Sequence, residues 1–228
     1  MPPGSRRFGA WGSYVITSGD AVGLAEQACR GGARILQYRE SRRLVGRARG
    51  SDSTASSRRM LETARRIGRI AAAHGTLFIV NDRIDIALLA GADGVHLGQD
   101  DIPISDAREL APDDFLIGIS THSIDQARQA ESSGADYVGI GPVFGTPTKP
   151  GSSPTGVGIV RAVVEAVHLP VVAIGGIDLG SIPELREAGV TNVAMIRGFA
   201  VDTGDRVRSV NRMLLGGRRP SPASRRAG

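Results

Sequence analysis

Short apolar runs rich in β-branched residues recur along the chain, each bounded by glycine or polar residues. They cover residues 14–17, 35–38, 78–80, 94–97, 115–119, 137–140, 171–174 and 193–196. Such runs predict strands buried on both faces, as in a parallel sheet. Between them apolar residues return at three- and four-residue intervals: Leu24, Ala25 and Ala28; Ile67, Ile70 and Ala71; Ile124, Ala127 and Ala130; Val160, Val163 and Val164; Ile182 and Leu185. That spacing places one apolar stripe on each helix. Eight strand–helix alternations predict an α/β protein, a (β/α)8 TIM barrel in a single domain. Gly32, Gly91, Gly134 and Gly189 each stand three or four residues before a strand. They form a weak internal repeat that predicts left-handed helix ends. An open doubly wound sheet is the alternative, but no Gly-x-Gly-x-x-Gly follows an early strand.

The 228 residues fit one such barrel, for which about 200 to 250 residues are usual. A chain of this size buries enough apolar surface to fold without disulfides or metal. The expected organisation is an N-terminal tail over 1–12, a barrel over 13–215 carrying a mobile Arg/Ser-rich loop at 41–59, and a disordered basic tail over 216–228. Within that loop, residues 46–57 have the Gly/Ser content and length of a candidate lid. No apolar run is long enough to span a membrane, and no apolar segment of a leader follows Arg6 and Arg7. The single cysteine, Cys29, fits a reducing compartment and reads as a small buried hydrophobe. These features predict a cytoplasmic protein without a membrane partner.

A net charge of +5 and a pI of about 10.3 raise the question of nucleic acid. The basic residues crowd into 39–59 and 218–226 and do not form one face, so a solvated loop and tail account for them better. Anionic, phosphorylated small-molecule substrates account for the remainder. Of 28 Lys plus Arg residues 27 are Arg, and the one lysine, Lys149, sits in a Gly/Pro-rich segment. An ammonium is a compact point charge that a planar guanidinium does not replace at every phosphate site. Barrels of this size often self-associate, so a homo-oligomer is an open expectation.

Barrel enzymes place their chemistry at the C-terminal ends of the strands. There this chain carries Gln37 and Arg39, Asn81 and Asp82, His96 with Asp100 and Asp101, Ser120 and His122, the segment 141–151, Gly175 and Gly176, and Arg197 with Gly198. Gln37 and Arg39 alternate with Leu36 and Tyr38, which sends both to the interior or rim, where Arg39 requires an anion. Asp82 and Asp101 follow adjacent strands and suit a Mg²⁺ site completed by substrate phosphates. Loop capping explains the same two carboxylates equally well, and Asp100 is an alternative ligand. Thr146, Thr148 and Lys149 suit a phosphate, or belong to an ordinary turn-rich connection. His122, beside Ser120, is the candidate for proton transfer, and His96 reads as a packed rim histidine.

Taken together, Gln37-Tyr38-Arg39-Glu40, Val80-Asn81-Asp82-Arg83, Gly94 through Asp101, Gly118-Ile119-Ser120-Thr121-His122, Gly141-Pro142, Thr146-Pro147-Thr148-Lys149 and Ala173-Ile174-Gly175-Gly176 resemble the thiamine-phosphate synthase family. The resemblance runs in order from about residue 14 to 200. It implies a Mg²⁺-dependent transferase that joins hydroxymethylpyrimidine diphosphate to thiazole phosphate, giving thiamine phosphate and diphosphate. It further implies that Gln37, Arg39, Asn81 and Lys149 hold the diphosphate, that Asp82 and Asp101 hold Mg²⁺, and that Ser120 lies near the departing group. Thr146, Thr148, Gly176, Ile196 and Arg197 would hold the thiazole phosphate. The chain departs from the family at Ser41, where lysine is usual, and at Arg197, where serine is common. The related thiazole tautomerase shares the barrel and the Ser-x-His stretch, with His122 as its proton shuttle. Asn81-Asp82 and Gln99-x-Asp101 favour the synthase, because a tautomerase has little use for a metal site. A non-catalytic phosphate-binding barrel is the third reading.

Overall fold

The computed structural model of the chain describes residues 9–17, 21–40, 53–146 and 153–216. Its strands are β1 (Gly12–Ile16), β2 (Ile35–Tyr38), β3 (Leu77–Asn81), β4 (Gly94–Leu97), β5 (Leu116–Thr121), β6 (Tyr137–Ile140), β7 (Val171–Ile174) and β8 (Asn192–Met195). Each pairs in parallel with the next, and β8 returns to β1 with Gly12 opposite Asn192, so the sheet closes. The helices among the described residues are α1 (Ala21–Arg30), α2 (Ser53–His74), α3 (Ile84–Leu89), α4 (Ile104–Leu110), α5 (Ile124–Ser132), α6 (Gly156–Ala166), α7 (Ile182–Glu187) and α8 (Thr203–Leu215), with a 3₁₀ turn at Arg197–Phe199. The protein is therefore the expected (β/α)8 barrel. No described helix is long and apolar enough to cross a membrane.

All eight sequence-read strands are present, with ends displaced by one or two residues at β1, β3, β5 and β8. One expectation needs correction. The segment 41–59 is helical from Ser53 onward, because α2 begins there. Met60, Ala64, Ile67 and Ala71 are buried at helical intervals, and that stripe seats the helix although Arg58, Arg59, Arg65, Arg66 and Arg69 are exposed along it. Residues 41–52, most of the candidate lid at 46–57, residues 1–8 of the expected N-terminal tail and 217–228 of the basic tail lie outside the described residues. Trp11 and Gly12, expected in the tail, are built into the barrel, Trp11 buried and Gly12 opening β1.

Strand alternation divides the core in two. Val15, Leu36, Val80, Val95, Ile117, Val138, Ala173 and Val193 face the helices. Tyr14, Ile16, Ile35, Ile79, Leu116, Tyr137, Val172 and Ala194 fill the barrel interior, as a closed parallel sheet of this size requires. The repeated glycines end their helices as read: φ is +84° at Gly32, +66° at Gly91, +89° at Gly134 and +87° at Gly189. The acids two residues after Gly91 and Gly134 serve the sheet. Asp93 accepts from the Phe78 amide at 2.8 Å and Asp136 from the Ile117 amide at 2.7 Å. Asn192 secures the closure, accepting from the Trp11 amide at 2.7 Å and donating to the Val171 carbonyl at 3.2 Å. Its two bonds satisfy backbone groups that would otherwise be buried and unpaired.

Candidate active site

The C-terminal ends of the strands open on a cavity of about 620 Å³ with residues from every strand on its wall. From β2 and β3 come Gln37, Arg39, Asn81 and Asp82; from the β4 and β5 ends come Asp101, Ser120 and His122; from the loops after β6, β7 and β8 come Thr146, Gly176, Ile196 and Arg197. Thr148 and Lys149 lie outside the described residues. The alternation that separates Gln37 from Leu36 and Tyr38 thus delivers Gln37 inward, and the chain carries Arg39 to the rim. None of the ion pairs among the described residues involves Arg39, which leaves its guanidinium suited to an anion in the cavity.

Asp82 ends β3 with φ +63°, in the left-handed region that non-glycine residues rarely occupy. Its amide donates to the His96 carbonyl at 2.8 Å, which ties the β3 and β4 ends together. The residue at the start of α3 is Arg83, and no side chain caps that helix. Capping therefore does not account for Asp82. One carboxylate oxygen of Asp101 accepts from the Gly98 amide at 2.6 Å. No group of three or more His, Cys, Asp or Glu side chains capable of holding a metal occurs among the described residues. Asp82 and Asp101 alone are too few to enclose a cation, and Asp100, the alternative ligand, also lines the cavity without completing such a group. Asp82 and Asp101 match a hard cation whose remaining ligands are water and phosphate oxygens.

On the opposite wall the β6–α6 connection folds against β7. The Val143 amide donates to the Ile174 carbonyl at 2.9 Å and the Phe144 amide to the Gly175 carbonyl at 3.0 Å. The backbones approach so closely that a Cβ on Gly176 (φ +67°) would lie 2.7 Å from the Gly145 carbonyl oxygen, hence glycine there. This contact brings Thr146, Gly176 and the 3₁₀ turn at Arg197–Phe199 to one side of the mouth. Exposed amides, a hydroxyl and a guanidinium are groups that bind phosphate.

Beneath the mouth runs a polar line that the sequence did not reveal. Gln37 donates to the Tyr14 hydroxyl at 2.8 Å, and the Tyr14 and Tyr137 hydroxyls lie 2.9 Å apart. His96 bridges Tyr137 through Nδ1 and Ser120 through Nε2, both at 3.0 Å. His96 is thus a linking residue rather than mere rim packing. Burial raises the Tyr14 hydroxyl far above the ordinary phenol range, against the lowering effect of its bonds to Tyr137 and Gln37. Burial raises Tyr137 likewise, with Tyr14 adding to it. The available signal was slight: polar-tipped aromatics inside apolar runs, in a chain that is only 4% aromatic. His122 stands apart from this line, its Nδ1–H donating to the Gly141 carbonyl and its amide to Gln126 at 2.7 Å.

The model of the thiamine monophosphate synthase family matches residues 13–199. A thiamine-phosphate synthase from Shouchella clausii is 43% identical over 192 residues, covering 84% of this chain and 86% of that protein. Another, from Thermosynechococcus vestitus, is 41% identical over 208 residues, covering 90% of this chain and 56% of that protein. The chain spans about half the length of several curated relatives it matches. Among solved structures, a thiamine phosphate pyrophosphorylase from Pyrococcus furiosus superposes with a TM-score of 0.77 at 34% identity, covering 91% of this chain and 96% of that one.

Proposed function

The chain belongs to the thiamine monophosphate synthase family, and on that premise we propose that it condenses hydroxymethylpyrimidine diphosphate with thiazole phosphate. In this reaction the bond between the pyrimidine methylene carbon and the diphosphate oxygen breaks, and its electron pair leaves with diphosphate. The thiazole nitrogen supplies the pair for the new carbon–nitrogen bond, giving thiamine phosphate. The observation that carries this reading is the shape of the mouth: Arg39, Asn81, Asp82 and Asp101 on one wall, Thr146, Gly176 and Arg197 on the other, around a single cavity. Two anionic groups and a bond between them require two such walls.

Gln37, Arg39, Asn81 and Lys149 are the diphosphate-binding residues in this proposal, and Ser120 is the hydroxyl beside the departing oxygen. Cationic and hydrogen-bonding groups placed there stabilise charge as it develops on the leaving group. Thr146, Thr148, Gly176, Ile196 and Arg197 hold the thiazole phosphate. Asp82 and Asp101 are the ligands for Mg²⁺, which when bound neutralises diphosphate charge. The lone Cys29 supports a reducing, cytoplasmic setting.

The test is thiamine phosphate formation from the two substrates with Mg²⁺ and with chelator. Product is expected only with the metal. Asp101→Asn retains an oxygen for the Gly98 amide, so it keeps the turn while removing the charge, and should lower turnover about 100-fold or more. A folded wild-type protein that makes no product, yet interconverts thiazole phosphate tautomers in a His122-dependent manner, would replace this reading with the tautomerase.

A further inference from the structure

The line from Gln37 to Ser120 crosses five strands without a break, and its members can be assigned a direction. A tyrosine hydroxyl has one hydrogen to give. Tyr14 accepts from the Gln37 amide at 2.8 Å, so its hydrogen goes to Tyr137 at 2.9 Å. Tyr137, having accepted, gives its own hydrogen to His96 Nδ1 at 3.0 Å. A neutral imidazole that accepts at Nδ1 carries its hydrogen at Nε2, and that hydrogen is donated to Ser120 Oγ at 3.0 Å. The Ser120 hydroxyl then keeps its own hydrogen for a further acceptor.

We infer that Tyr14, Tyr137 and His96 are positioning residues that hold His96 as the Nε2–H tautomer and so present the Ser120 hydroxyl as a hydrogen donor to an anionic oxygen of the bound substrate. The inference rests on the reading of the mouth as a diphosphate site. Packing fixes the line as well as hydrogen bonding. A Cβ on Gly118 would fall 2.0 Å from the Tyr137 ring, and one on Gly139 would fall 3.3 Å from the His96 ring, so two glycines make room for the two side chains. The rings of His96 and Tyr137 lie 5.5 Å apart, and Trp11 meets Tyr137 edge-on at 5.9 Å. Burial keeps both tyrosines protonated, so neither is lost from the line by ionisation near neutral pH.

The opposite direction has a different chemical meaning. If Gln37 presented its oxygen to Tyr14, every hydrogen would reverse, His96 would carry Nδ1–H, and its bare Nε2 would draw the proton from Ser120. That arrangement prepares a nucleophilic serine. The proposed reaction forms no bond to the protein and releases an oxyanion, which is served by a donor.

The tautomer is read directly from two-bond proton–nitrogen spectra of the full chain with ¹⁵N-labelled histidine, in mildly alkaline buffer where an imidazole is neutral. The His96 signal is assigned by its loss in His96→Gln. An Nε2–H pattern is expected; a dominant Nδ1–H pattern overturns the inference. Tyr137→Phe keeps the ring and removes the hydroxyl. It should populate both tautomers and lower kcat up to about 100-fold with a smaller change in KM, the mark of a misplaced group. Wild-type tautomer ratio and kcat in that variant would also overturn it. Should Tyr137→Phe not fold, Tyr14→Phe gives the same readouts with a smaller expected loss of kcat. A wild-type protein that forms no thiamine phosphate defeats the synthase reading, and the spectrum alone still decides the direction of the line.

Discussion

Asp82 pays a conformational cost that its position does not require. Its φ of +63° is shared among the described non-glycine residues only by Asp202, at +49°. For a side chain with a Cβ that conformation costs about 1–2 kcal/mol, which glycine would avoid. Strain retained at the mouth of a cavity points to what the carboxylate does there. Three substitutions separate the backbone from the charge. Asp82→Gly should leave the urea midpoint within the equivalent of about 1 kcal/mol of the parent, yet abolish Mg²⁺-dependent turnover. Asp82→Ala should lose turnover and also about 1 kcal/mol of stability. Asp82→Asn tolerates the left-handed backbone and should be stable and inactive. Full turnover in Asp82→Gly would remove Asp82 from the metal site. In the sequence Asp82 was legible as a candidate because it follows an apolar run, and the polar residue after a barrel strand faces the mouth. Its backbone strain was not, since no residue pattern encodes a positive φ at an aspartate.

At the level of elements, the strands were readable because a parallel strand buried on both faces is a run of apolar residues with nothing to dilute it. The start of α2 was obscured because composition across 41–59 is dominated by Ser, Arg and Gly, while the signal that decides it is the spacing of Met60, Ala64, Ile67 and Ala71. The line from Gln37 to Ser120 was illegible for a different reason. It depends on which side chains meet across the barrel, and alternation along one strand says only that they point inward. Glycines in these elements show how unequal like residues become once packed. Gly118 in β5 has the Tyr137 ring where its Cβ would be, at 2.0 Å. Gly118→Ala must displace the ring, and overpacking of this kind costs about 1–3 kcal/mol. Gly158 in α6 has open space at its Cβ position and no positive φ. Gly158→Ala should therefore stabilise, by about 0.5–1 kcal/mol. Urea unfolding of the two variants should move the midpoint in opposite directions. A tolerated Gly118→Ala with wild-type midpoint would mean that Tyr137 is not held against β5.

For the whole molecule, the closed barrel turns the chain's unusual charge composition into a pH response. Its three tyrosines, Tyr14, Tyr38 and Tyr137, are all buried. Burial is the leading cause that raises each hydroxyl above its ordinary value of 10.0. For Tyr38 the bond and charge of Glu40 add to the effect. Burial also raises the Cys29 thiol. Groups whose folded values are raised contribute stability that is complete below the unfolded values and is lost as pH climbs toward the folded ones. The unfolded thiol ionises near 8.5 and the unfolded phenols near 10. Few other side chains confuse that window, because 27 of the 28 basic residues are Arg, which stays charged, and Lys149 is the single lysine. The urea midpoint should hold level to about pH 8 and then fall increasingly steeply above about pH 9. Each phenol contributes up to about 1.4 kcal/mol per pH unit once it is ionised only in the unfolded chain. Phenolate absorbance should rise together with the loss of helical circular dichroism and not before it. If phenolate appeared near pH 10 while the helices and the midpoint stayed unchanged, the tyrosines would be open to solvent. The barrel interior would then not be the sealed layer on which the direction of the Gln37–Ser120 line depends.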